Sequence, residues 1–374
     1  MANILDYLAW RGDITLAQSP FNPVDSLILS VLSYLPFEGI VPALFDKKGP
    51  TIAAAHSEFA ARDQAGLPIR ADDDVRLLAA LAASVRFSGM RLSGYASKLS
   101  EARQEQFAAL TIQTGDGCVY VSFRGTDHSL VGWKEDFNMS FMSPVPAQRD
   151  AVAYLEGAAR HIRGPFRVGG HSKGGNLAVY ASAFCDRRIQ KRIVGVYSND
   201  GPGFDESVIS TQGFRDITAR VSAFVPQSSI IGMLLEHTER YVIVHSNQKG
   251  IMQHDPYSWS ILGRGFVVMD TVSNSSLFID KTLTQWIKSM DPAQRARFIN
   301  ALYEILSATD IKDITGLPTD WFKRARSAGE ALRSIDDDTR KALLQTLRLL
   351  FHAARTNLSS YFPLGRTNRE PADR

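Results

Sequence analysis

Leu27, Ile28, Val31, Leu32 and Leu35 recur at helical spacing, with Asn22-Pro23-Val24-Asp25 just ahead of them. An Asn cap, a proline at the first helical position and an acid in the first turn mark a helix start there, and Pro36 marks its stop. Residues 46–74 carry more charge, Ala, Gly and Pro and little strand signal. They read as short helices and loops, with a solvated connector favoured over a lid. Strand signals begin at Phe107–Ile112, pause at Thr114-Gly115-Asp116-Gly117 and resume at Cys118–Phe123, the pattern of a hairpin. Helical spacing over Ala151–Ile162 is followed by a strand at Phe166–Val168, a glycine-rich turn and a helix over Lys173–Phe184. Short β-branched or aromatic runs at Ile193–Tyr197, Val221–Val225 and Tyr241–Val244 add three more strands. Strands alternating with helices predict an α/β fold with a mainly parallel central sheet. Beyond residue 270 the strand signal ends, and helices are expected around 277–290, 292–307, 319–333 and 337–356. This divides the chain into 1–270, with an N-terminal helical extension, and a helical C-terminal module, 271–374.

Composition narrows the classes without choosing one. Apolar residues are 44% and charged residues 22% of 374, an ordinary globular balance. Lys and Arg number 42 against 39 Asp and Glu, a net charge of +3, too small for a general nucleic-acid field. From residue 281 onward the balance is 16 to 11, so the helical module is mildly basic. Leu343, Leu344, Leu347, Leu350 and Phe351 beside Arg340, Lys341, Arg348 and Arg355 form an amphipathic stripe. Packing onto the rest of the protein is the favoured reading over contact with a membrane surface. The two cysteines, Cys118 and Cys185, sit in apolar stretches and are expected as buried free thiols rather than a disulfide or a zinc site. No signal peptide is visible and no apolar run reaches the ~20 residues of a membrane span, which makes the cytoplasm the expected compartment.

The candidate chemistry centres on Gly170-His171-Ser172-Lys173-Gly174, between a predicted strand and a predicted helix. A strained strand-to-helix turn of this kind lifts a serine clear of the sheet, beside a helix N-terminus whose N–H groups favour an oxyanion. Ser172 is therefore the candidate nucleophile. The backbone N–H groups of Lys173 and of Thr126, in Phe123-Arg124-Gly125-Thr126, are the candidate oxyanion donors. The Lys173 ammonium is expected to be solvated. Downstream histidines are His237, His245, His254 and His352. His254 lies in a loop after the last clear strand and is the candidate base, while His171 is assigned a structural role. No carboxylate follows Val221–Val225, so the candidate acid is Asp200, 28 residues beyond the serine and just after Ile193–Tyr197. Asp255 adjoins the histidine and remains an alternative, and a plain turn role remains open for Asp200.

The elbow, Phe123-Arg-Gly-Thr126 and Trp133-Lys-Glu-Asp136 resemble the class 3 lipase branch of the α/β-hydrolases over about residues 105–260. There an acid is expected after the strand matching Val221–Val225, and this sequence departs from it. Asp200 is similar instead to the acid of pancreatic lipases. A closer resemblance, up to about residue 270, is to the bacterial Mbeg1-like family. It rests on Asn3-Ile-Leu-Asp-Tyr-Leu-Ala-Trp-Arg-Gly12, Phe123-Arg-Gly-Thr-Asp127, Gly132-Trp-Lys-Glu-Asp-Phe137, Gly170-His-Ser-Lys-Gly-Gly-Asn-Leu-Ala178 and Ser246-Asn-Gln-Lys-Gly-Ile-Met-Gln-His-Asp255. The resemblance implies an α/β-hydrolase fold and the positions of Ser172 and His254; it brings no substrate.

Together these readings predict a serine hydrolase of carboxylic esters that uses no metal or organic cofactor and acts on a small acyl ester or lipid. Thioesters, amides and lysophospholipids are rival substrates for the same site. A binding protein that keeps the fold without turnover is the rival outside enzymes. Nucleic acid is not an expected partner, and a homo-oligomer is left open.

Overall fold

The computed structural model describes residues 1–46, 48–63, 66–127, 129–139, 142–229, 231–232, 241–272, 274–307 and 337–361. Helices α1 (Ile4–Arg11) and α2 (Pro23–Leu32) open the chain, each started by a capping box, Asn3 with Asp6 and Asn22 with Asp25. The second stops at Leu32, one turn before Pro36, because the Ser33 N–H and hydroxyl both donate back to the Ser30 carbonyl (3.3 and 2.7 Å). Next come α3 (Ile52–Ala60), α4 (Asp72–Ala83), β1 (Arg91–Ser100), β2 (Glu105–Gln113) and β3 (Val119–Phe123). The α/β part continues with α5 (Leu130–Asn138), α6 (Pro146–His161), β4 (Phe166–His171), α7 (Lys173–Phe184), α8 (Arg187–Gln190) and β5 (Ile193–Asn199). It closes with α9 (Glu206–Ile209), α10 (Gln212–Thr218), β6 (Val221–Pro226) and β7 (Tyr241–Val244). A small antiparallel pair, β8 (Ile261–Leu262) with β9 (Gly265–Phe266), precedes α11 (Asn274–Lys288), α12 (Pro292–Ser307) and α13 (Asp337–Tyr361).

The main sheet holds β1 to β7 in chain order, antiparallel from β1 to β3 and parallel from β3 to β7. Parallel strands laid down in spatial order by right-handed crossovers send every connecting helix to the same face. One core forms there, under α6, α7 and α10. The opposite face would be left bare, and the N-terminal helices cover it in a second core with Trp259, Ile261 and Phe266. The period of two in β3 feeds both: Val119, Val121 and Phe123 point into the first, and Tyr120 into the second. There the Tyr120 hydroxyl sits 2.9 Å from both the Ser26 and Ser30 hydroxyls of α2, tying sheet to helix.

Several expectations change. β1 carries no β-branched run; it pairs with β2 through an irregularity at Ser93–Ala96, where Gly94 takes φ +63°, so cross-strand packing rather than propensity makes it a strand. Within residues 46–74, expected as short helices and loops, Ile52–Ala60 form α3, whose Ile52, Ala55 and Phe59 are fully buried in the core on the N-terminal side rather than solvated. Cys185 is buried, whereas Cys118, at the end of the β2–β3 turn, is only half-buried; neither is in a disulfide. The C-terminal helices α11, α12 and α13 share a third apolar cluster, with Phe137 of α5 packed against it. The helix expected at 319–333 lies outside the described residues. Among the described residues no helix is long and apolar enough to cross a membrane.

The N-terminal helices are locked down by Arg86, whose guanidinium grips Asp25 with both arms (2.8 and 2.5 Å). The two side chains are 1% and 0% exposed, and Tyr7 and the Asn22 N–H complete the carboxylate's shell. Arg86→Met would leave Asp25 buried and unpaired, a loss of about 3–5 kcal/mol. Urea unfolding of the variant is expected to read that loss; a change under ~1 kcal/mol would mean the pair is dispensable.

Candidate active site

Ser172 stands where β4 turns into α7, with φ +61° and ψ −133°. A side chain other than glycine rarely adopts such a backbone, which costs about 1–3 kcal/mol unless its surroundings enforce it. Here the Ser172 N–H donates to the Asn199 carbonyl (2.9 Å) and its carbonyl accepts from the Gly175 N–H (2.8 Å). The flanking glycines are required by approach: a Cβ on Gly170 would lie 2.2 Å from the Gly174 carbonyl carbon, and one on Gly174 would lie 2.1 Å from the Phe123 carbonyl oxygen. The turn is squeezed between strand and helix, and the serine is its apex. As the first residue of α7, Lys173 presents a backbone N–H with no acceptor within the helix.

The loop after β3 runs against this apex, since a Cβ on Gly125 would come within 2.9 Å of the Ser172 Cβ. Thr126, the next residue, donates its hydroxyl to Asp136 Oδ2 of α5 (2.5 Å). Among the described residues the second Asp136 oxygen, which is buried, has no hydrogen-bond partner; it lies 3.8 Å from the Lys173 ammonium. Burial pushes the Asp136 carboxyl up to about 6, against the opposing pull of Lys173 and the Thr126 hydroxyl.

The Lys173 side chain corrects the expectation of a solvated charge. Its ammonium is buried and donates to the Gln106 carbonyl (2.8 Å), the Gln106 side-chain oxygen (2.8 Å) and Glu135 (3.0 Å). Glu135 also accepts the Gln106 and Ala147 N–H groups (both 2.9 Å). An apolar wall would make a lone ammonium very costly there, and this complete set of partners is what permits it. The pair thus joins the elbow to β2, α5 and α6.

Asp200 closes β5, also at positive φ (+54°), and its N–H pairs with the Phe224 carbonyl of β6 (2.8 Å). It is fully buried, with one oxygen 2.6 Å from His254 Nδ1 and the other accepting the Ser229 hydroxyl (2.5 Å). Ser229 follows β6, where the sequence offers no carboxylate, so that turn supplies a hydrogen bond to Asp200 instead of an acid. Gly232 is required beside it: a Cβ there would lie 2.1 Å from the Asp200 oxygen.

His254 ends a short 3-10 turn, Gly250–His254. The turn is pinned through Gln253, which accepts the Ser228 N–H (2.7 Å), donates to the Gln248 carbonyl (2.8 Å) and offers its own carbonyl to the Trp259 indole (3.0 Å). The His254 carbonyl faces His171 Nε2 at 2.9 Å. A carbonyl can only accept, so His171 Nε2 carries the proton and Nδ1 accepts from the Tyr34 hydroxyl (3.1 Å). Burial holds His171 well below the usual histidine range, helped by His254 and Arg70 nearby, so it is a neutral strut. The two imidazoles lie 4.6 Å apart. Behind Tyr34 the Arg70 guanidinium stacks at 4.1 Å and pairs with Asp74, which also accepts the Tyr257 hydroxyl (2.8 Å). The N-terminal helices therefore brace the histidine loop.

Among the other candidates, Asp255 caps the turn at Pro256–Ser258 through the Tyr257 N–H (3.1 Å) and does not meet the imidazole. His245 is held by the Ser260 hydroxyl (2.9 Å), and His352 is exposed on α13. His237 lies outside the described residues. Among the described residues the Ser172 hydroxyl has no hydrogen-bond partner, so its link to His254 is open in this conformation; in free enzymes that link commonly tightens only around substrate. No cluster of three or more His, Cys, Asp or Glu that could hold a metal occurs among the described residues.

A family model described as Mbeg1-like matches residues 81–304. No curated protein matches the chain. Among solved structures, the Rhizomucor miehei lipase propeptide complex is 14% identical with a TM-score of 0.34, covering 43% of this chain and 58% of its own. The chain thus spans under two thirds of that lipase. M37 lipase is 13% identical with a TM-score of 0.33, covering 56% of this chain and 69% of its own.

The Asp136 shift sets a pH dependence. Its carboxyl titrates near 3.8 when unperturbed and about 6 here, so the proton is held more tightly in the folded chain. The stability this contributes is present below the lower value and lost as pH rises through the upper. Wild type is expected to lose stability relative to Asp136→Asn between those two values and to run parallel to it above. Urea unfolding across this range checks it, and a constant difference would contradict the assigned shift.

Proposed function

The chain belongs to the Mbeg1-like family, and we propose that it is a lipase-like serine hydrolase acting on carboxylic esters. The observation that carries this reading is the Asp200–His254 pair at 2.6 Å, its carboxylate fully buried, in the loop that His171 ties to the strained Ser172 turn. Asp200 occupies Nδ1 and leaves Nε2 as the nitrogen able to take a proton from Ser172.

In this reading the Ser172 oxygen attacks the ester carbonyl carbon as its proton passes to His254 Nε2, and Asp200 holds the ring and stabilises the cation. The charge arising on the carbonyl oxygen is met by the backbone N–H groups of Lys173 and Thr126. Each such donor contributes roughly 2.7–4 kcal/mol to the transition state. His254 then protonates the departing alkoxide, leaving an acyl-enzyme. Water, deprotonated by the same imidazole, attacks the acyl carbon and releases the acid and free Ser172. The residues in these roles are complete without a metal or organic cofactor. Asp136, by fixing the Thr126 hydroxyl, keeps the oxyanion loop against the elbow, and the buried Lys173–Glu135 pair does the same from beneath.

Initial rates on 4-nitrophenyl esters test the reading. Ser172→Ala and His254→Ala are expected to lower kcat/KM by about four to six orders of magnitude, and Asp200→Asn by about four. Hydrolysis unaffected by Asp200→Asn would move the acid elsewhere. A folded wild type without hydrolysis would favour a binding protein that keeps this fold.

A further inference from the structure

Ser172 forms part of the wall of a cavity of about 450 Å3, and half of the sixteen described residues around that cavity come from α11, α12 and the turn between them, which holds Met290. Trp286, Met290, Phe298 and Ile299 of this group are all nearly buried, yet each turns part of its surface to the cavity. Across from them stand Trp133 and Phe137 of α5, the helix that follows the oxyanion loop. The polar groups that line it are Asp136, Ser172 and Lys173 and, from α12, Arg295, so the space has a reactive wall and a mostly apolar body.

The apolar wall is built to hold its shape. Trp286 meets Phe298 edge-on at 5.3 Å, and its indole N–H donates to the Thr346 carbonyl of α13 (2.9 Å). α12 is fastened to α5 where the Lys134 ammonium lies over the Tyr303 ring (4.4 Å). A cavity lined by aromatic and branched apolar groups, with few polar groups among them, selects an apolar ligand whose polar end lies at one of those groups.

We propose that this cavity binds the acyl chain of the substrate, and that α11 and α12 set the chain length the protein accepts. The inference rests on the hydrolase reading above, since it is Ser172 that would place the ester carbonyl at the mouth of the chain site. The volume leaves room for roughly fifteen groups of ~30 Å3, the size of a water or a methylene. The substrate class is therefore esters of fatty acids of up to about fifteen carbons. The C-terminal module is then part of the site and not an appendage to it.

The test measures binding apart from turnover. Calorimetric titration of the full chain, wild type and Ser172→Ala, with saturated fatty acids from butanoate to octadecanoate is expected to show affinity rising about four-fold per methylene (~0.8 kcal/mol) and then levelling at about fifteen carbons. Ile299→Trp, which fills the apolar end, is expected to end the rise at shorter chains while butanoate binding stays the same. Leu302→Trp, at a half-buried position, serves as the second filling variant if Ile299→Trp does not fold. The same break in the chain-length profile is expected for 4-nitrophenyl ester hydrolysis by these variants. Absent fatty-acid binding, or binding indifferent to both fillings, overturns the acyl site even where esters are hydrolysed at Ser172. Chain-length-dependent binding by a wild type that hydrolyses no ester overturns the hydrolase reading instead, and with it the assignment of the ligand as substrate.

Discussion

The backbone at Ser172 is the constraint around which the rest of the molecule is organised. A serine at φ +61° is unfavourable on its own, and it persists only because strand, helix and neighbouring loops close on it from every side. Glycine at 170 and 174 is demanded by the backbone of β3 and of α7 itself, within 2.6 Å of where their side chains would begin. Glycine at 125 is demanded by the elbow in turn. The buried Lys173–Glu135 pair fixes the start of α7 to β2 and α5. On the far side His171 links the elbow to the His254 carbonyl, and so couples the position of the serine to that of the histidine loop.

The sheet order explains why so much chain lies outside the strands. Sequential parallel strands leave one face without helices, and α1, α2 and α4 cover it. The same helices and the residues at their ends supply Tyr34, Arg70 and Asp74, which reach the histidine loop through His171 and Tyr257. Covering the sheet and aiming the imidazole are thus served by one set of residues. The C-terminal helices do a comparable thing on the other side, burying their apolar stripes against each other and α5 while leaving one wall of the cavity open to Ser172.

Much of this was legible in the sequence where a local rule operates. Periodicity gave the parallel strands, Asn22-Pro23 gave the start of α2, and the glycines around Ser172 gave the elbow. Asp200 was reachable by spacing, and the structure brings it onto His254, at a φ of +54° that Asp tolerates better than most side chains. What local rules miss is tertiary. β1 exists because β2 pairs with it, and the Lys173 ammonium is buried because Gln106, 67 residues earlier, supplies two of its acceptors. Asp136 was visible as part of Trp133-x-x-Asp136, but its bond to Thr126 depends on α5 folding back beside the loop. The cavity was out of reach for the same reason: an amphipathic helix shows which face is buried, not what that face encloses.

In the proposed function Ser172 is the nucleophile, and that assignment can be tested directly. The most direct measurement is to treat the folded protein with a fluorophosphonate and locate the adduct by peptide mass spectrometry. A single adduct on the peptide containing Ser172, lost when the protein is unfolded beforehand, is the result expected of that assignment. An adduct elsewhere, or one that forms equally well on the unfolded chain, would contradict it.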